Sequence, residues 1–75
     1  MMTPVQSRMA RAALGWGTRD LAREAGIGVS TVTRFETGQK EPTKANLAAI
    51  QRALETAGIE FTDDGGVRPK PPCAG

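Results

Sequence analysis

The chain has no histidine, no tyrosine and a single cysteine, Cys73, near its end. Without histidine there is no His-based general acid or base and no zinc site of Cys/His type. One thiol cannot close an intramolecular disulfide framework, and an unpaired cysteine suits a reducing cytoplasm, where the chain is expected to reside. No run approaches the roughly 18 apolar residues that a membrane helix needs, and no basic-then-apolar signal peptide opens the sequence. No membrane association is expected. Asp63-Asp64-Gly65 lacks the ligand spacing of a calcium loop, so it reads as a turn, and no metal or cofactor is expected. With no nucleophile–base pair to assemble, and little chain to wall in a pocket, an enzyme is excluded.

What is present is a globular composition, 39% hydrophobic and 24% charged, in 75 residues. That is a single domain, with enough apolar residues to fold. The net charge is +2, unevenly spread. Residues 1–44 hold seven Lys/Arg against four Asp/Glu, a net of +3, and residues 45–75 hold three against four, a net of −1. The basic excess in the first half points to an anionic partner there.

Local signals predict four helices. Thr3 caps the first, with Pro4 at its first position, Gln6 completing a capping box and Gly15 ending it. Two faces of this helix are equally plausible as the buried one: Ser7, Ala10, Arg11 and Leu14, or Val5, Met9, Ala12 and Ala13. The second helix spans about Thr18 to Ala25, capped by Gly17 or Thr18, with Leu21, Ala22 and Ala25 inward. After Gly26-Ile27-Gly28, a third runs from about Val29 to Thr37, with Val32 and Phe35 inward and Gly38 as its stop. Thr43 caps a fourth from about Lys44 to Ala57, which buries Leu47, Ile50 and Leu54. Ile59 to Thr62 then alternates like a strand, Asp63 to Gly66 is turn chemistry, and Val67-Arg68 reads as a returning strand. Pro69, Pro71 and Pro72 are expected to forbid regular structure beyond it. The expected organisation is a helical domain over 1–58, a β segment over 59–70 and a disordered tail over 71–75.

The informative spacing is helix, glycine-containing break, helix. Ala22 is small enough for close crossing, Gly26 supplies a positive φ, and Ile27, Val32 and Phe35 cement the pair. Two short helices so joined form a helix-turn-helix whose second member is free to enter a major groove. The run "RAALGWGTRDLAREAGIGVSTVTRFETG" (11–38) resembles the Xre/Cro/C1-type helix-turn-helix of phage and bacterial repressors. The matching positions are Arg11, Leu14-Gly15, Leu21-Ala22, Gly26, Ser30-Thr31-Val32, Phe35-Glu36 and Gly38-x-x-x-Pro42. The likeness extends over about residues 5–68, and beyond 38 it is to small stand-alone regulators ending in a β segment. It implies an all-α, four-helix lambda-repressor-like domain with a short C-terminal β strand or hairpin.

The resemblance also assigns roles. Arg11 pairs with Glu36 as a structural salt bridge. Val29, Ser30, Thr33 and Arg34 match the family's base readers, and Arg34 has the fork that binds guanine O6 and N7 together. Thr18, Arg19, Thr31, Thr37, Gln39, Lys40 and Lys44 are the candidates for phosphate contact. Gly17-Thr18 stands where the family commonly has Ser-Gln, and Gly28 replaces the usual Ser/Thr cap of the recognition helix. Arg23, three residues after Asp20, is read as half of an intrahelical ion pair. Trp16 is read as a core plug between helices 1 and 2. The implied function is a sequence-specific regulator of transcription, a repressor, that binds double-stranded DNA. The β segment either covers the core or pairs with its mate in a second subunit, and the expectation is a homodimer through it on an inverted repeat. The alternative is an antitoxin or phage accessory protein that grips a protein partner.

Overall fold

A computed structural model describes residues 2–69; Lys70 and the expected disordered tail at 71–75, with Cys73, lie outside the described residues. Four helices are followed by a two-stranded hairpin: α1 (Pro4–Leu14), α2 (Thr18–Ala25), α3 (Val29–Glu36), α4 (Lys44–Thr56), β1 (Ile59–Phe61) and β2 (Val67–Pro69). The third and fourth helices end one residue earlier than expected, because Thr37 and Ala57 serve as caps.

Each helix start has a local cause. The Gln6 N–H donates to the Thr3 hydroxyl at 3.1 Å and the Thr3 N–H to Gln6 Oε1 at 2.8 Å, so two otherwise orphaned amides are satisfied reciprocally. Gly17 has no side chain with which to cap α2, and its own N–H donates instead to Asp20 Oδ2 at 2.8 Å. At α4 the Asn46 N–H donates to the Thr43 hydroxyl at 3.1 Å. Of the two plausible faces of α1, the one with Gln6, Ser7 and Ala10 is buried, while Val5 stays 49% exposed.

The turn between α2 and α3 depends on Gly26. Its φ of 72° is left-handed, a region that a Cβ resists. That conformation lets the Gly26 N–H reach Arg23 O at 3.2 Å and the Ile27 N–H reach Ala22 O at 3.0 Å, which closes the end of α2 within two residues. α2 packs on both α3 and α4. The core gathers Leu21 and Ala22 of α2, Val32 and Phe35 of α3, Leu47, Ile50, Ala53 and Leu54 of α4, Ala10 of α1, and Ile59. Met2, outside any regular element, is buried with them.

The hairpin closes the core. Ile59 is 1% exposed, and Phe61 and Val67 on the same face pack against the cluster. Outward, Arg68 pairs with Glu60 across the strands at 2.5 Å. Gln6 Nε2 also donates to Gly66 O at 3.1 Å, which ties the turn to α1. Pro69 corrects the expectation that proline ends regular structure here: it is the last residue of β2, opposite Ile59. The Thr62 N–H donates to Gly66 O at 3.0 Å. Antiparallel ladders alternate from such a bonded pair, so Ile59–Pro69 is a non-bonded one. The missing N–H would have pointed away from β1, a position proline tolerates.

Candidate nucleic-acid interface

One face of α3 is anchored and the other is free. Val32 at 0% and Phe35 at 5% exposure seat the helix in the core. Val29, Ser30, Thr33 and Arg34 all lie exposed on the outside. The four proposed readers therefore share one surface, and none of their side chains has a hydrogen-bonded partner within the described residues.

The C-terminal end of α3 is held by charge. Arg11 Nη2 reaches Glu36 Oε1 at 2.6 Å, and Arg11 Nε donates to Oε1 and Oε2 at 3.0 and 2.8 Å. Arg11 Nη1 donates to Trp16 O at 3.1 Å, and the Ser7 hydroxyl donates to Glu36 Oε2 at 2.7 Å. Two residues of α1 thus meet on one α3 carboxylate whose side chain is 3% exposed, and Arg11 also ties in the loop after α1. Hydrogen bonding to Glu36 raises the Arg11 guanidinium above its ordinary value, against the opposing effect of burial. Among the described residues no buried side-chain N or O lacks a partner. Ser7 carries no sequence signal for this role beyond its place on the Arg11 stripe.

The phosphate candidates are less uniform. Arg19, Gln39, Lys40 and Lys44 are exposed, and none of the three cations forms an ion pair within the described residues. Thr18 and Thr31 are half-buried. The Thr37 hydroxyl already donates to Thr33 O at 2.9 Å, so its proton is committed to the helix end. Arg23 meets Asp20 at 2.9 Å with both side chains well exposed, an intrahelical pair of small energetic value.

Between α3 and the start of α4 runs a small groove of about 120 Å³, lined by Thr31, Arg34, Lys40, Glu41, Pro42, Thr43 and Asn46. The loop that forms it is pinned to α3, since Arg34 O accepts from the Gln39 N–H at 2.9 Å and the Lys40 N–H at 3.3 Å. Sequence reasoning did not single out Glu41 or Asn46 as part of this surface. Neither has a periodic signal, and they join it only through the loop that turns the chain from α3 into α4. Trp16 departs from its expected place as a plug between the first two helices. It is half-buried and packs on the core, and it lines an open groove with Ala25 of α2 and Ala49 and Ala53 of α4.

Among the described residues no helix is long and apolar enough to cross a membrane. The helix-turn-helix family model matches residues 8–61, which spans α1 through β1. No curated protein matches the chain.

Proposed function

This chain belongs to the Cro/C1-type helix-turn-helix family of DNA-binding regulators, and from that premise we propose that it is a sequence-specific transcriptional repressor that reads the major groove with α3. The observation that carries the reading is the free outer face of α3, where Arg34 is exposed and unpaired beside Val29, Ser30 and Thr33, while Val32 and Phe35 hold the opposite face.

Arg34 binds guanine O6 and N7 together, a contact that discriminates by roughly 1–3 kcal/mol. The methyl groups of Val29 and Thr33 meet thymine methyls, and Ser30 accepts or donates at a neighbouring base edge. Arg19, Gln39, Lys40 and Lys44, with Thr18 and Thr31, engage phosphates and fix register without reading sequence. Two copies joined through the C-terminal hairpin set their recognition helices about 34 Å apart on an inverted repeat. Occupancy then blocks polymerase.

A salt titration of duplex binding tests this. Arg34→Ala is expected to relax sequence preference, and Lys40→Ala to weaken all duplexes alike while reducing the salt slope by about one. Wild-type behaviour in both variants would overturn the groove assignment.

A further inference from the structure

The rim of the α3 surface contains one residue of the wrong sign for a phosphate-binding edge. Glu41 lines the same groove as Arg34 and Lys40, with the exposed Lys44 opening the next helix. It is exposed and forms no ion pair within the described residues.

Its backbone position is held from both sides. On one side, the amides of Gln39 and Lys40 both donate to Arg34 O. On the other, Pro42 biases the residue before it toward extended backbone, and Thr43 caps α4 through the Asn46 N–H. The backbone from which the Glu41 side chain springs is thus set beside Arg34 in the shared groove.

We propose that Glu41 is a specificity-determining residue, which penalises any duplex that presents only its phosphates and is relieved by one that presents a base amino group. This rests on the reading of α3 as the DNA-facing helix. A phosphate backbone drawn to Lys40 and Lys44 meets the negative charge of Glu41, and the repulsion is independent of sequence. Cytosine N4 and adenine N6 are hydrogen-bond donors on the major-groove edge, and a glutamate accepts from them. In a G·C pair the two partners are complementary to what the groove offers, with guanine O6 and N7 facing the Arg34 fork and cytosine N4 facing the Glu41 carboxylate. Non-specific binding retains the repulsion, and cognate binding exchanges it for a hydrogen bond.

Glu41→Gln separates the two effects, because glutamine keeps the length and the acceptor oxygen but loses the charge. Binding of the intact protein is measured on a duplex selected from a random pool and on a scrambled duplex of equal length, across a salt series. The expected result is a gain of about three- to ten-fold on the scrambled duplex at low salt, fading as salt rises, with less than about two-fold change on the selected one. The selectivity ratio falls accordingly. An equal gain on both duplexes, or no gain on either, overturns the proposal. Arg34→Ala run in parallel separates the levels of inference. If it keeps the wild-type preference, the assignment of α3 itself fails. If it loses that preference while Glu41→Gln changes nothing, only the role of Glu41 fails.

Discussion

The Ser7 hydroxyl and the Glu36 carboxylate, 29 positions apart, meet at 2.7 Å with Ser7 fully closed to solvent. With Arg11 they make the C-terminal end of α3 a structural joint to α1.

Removing either charge of this joint strands the other. Arg11→Ala or Glu36→Ala is expected to lower stability by about 3–5 kcal/mol, the usual cost of leaving a buried charge alone. Ser7→Ala removes one donor from a carboxylate that keeps Arg11, and about 1–3 kcal/mol is expected. Urea unfolding midpoints at constant slope give these differences directly. A loss below about 1 kcal/mol for both charge removals would mean that water replaces the pair and that the joint does not hold α3.

The hairpin has a structural face and a free one. Ile59→Ala opens the core and should cost about 2–5 kcal/mol. Glu60, on the outer face with Arg68, should be nearly silent for stability, as exposed pairs are. If the hairpin also joins two copies, Glu60→Lys sets two cations side by side on that face. It is then expected to shift the sedimenting mass from dimer to monomer, with the unfolding midpoint losing its dependence on protein concentration. A dimer of unchanged strength would remove the hairpin as the interface.

The turn between the strands responds to acid. The Thr62 hydroxyl and then the Gly66 N–H hydrogen-bond the Asp64 carboxylate and hold it below the ordinary aspartate value. A lowered folded value means that the contribution is present above the unfolded aspartate value and is lost as pH falls through the folded one. The Gly66 amide resonance should therefore stay constant through the neutral range and move only in acid, and Asp64→Asn should abolish that movement. Arg11 has the opposite sign. Its raised value keeps the guanidinium charged, and its own contribution intact, everywhere below the guanidinium range.

Much of the fold was legible because its signals are local. Thr3 with Gln6, Gly26, and Thr43 each mark a helix end within four residues, and the inward stripes of α2, α3 and α4 follow from period alone. The buried face of α1 was not legible. Both stripes have helical spacing, and the choice is made by Glu36, 25 residues from Arg11 and 29 from Ser7. Met2 has no periodic neighbours to announce it. Pro69 was misjudged because its cost depends on strand register, which is set across the hairpin and not by its neighbours. At the candidate interface, Arg34 and Lys40 were legible from their place after the glycine turn, whereas Glu41 and Asn46 share a groove with Arg34 only once the loop after α3 has folded back on it.

If Arg34 on the outer face of α3 reads base edges in duplex DNA, the sequences that the protein selects must carry its mark. Selection of bound sequences from a random duplex pool, run side by side with wild-type protein and Arg34→Ala, tests it most directly. The account predicts that the wild type enriches an inverted repeat containing a guanine in each half-site, about one helical turn apart, and that Arg34→Ala loses that guanine. No enrichment by the wild type, or the same guanine retained by Arg34→Ala, would contradict it.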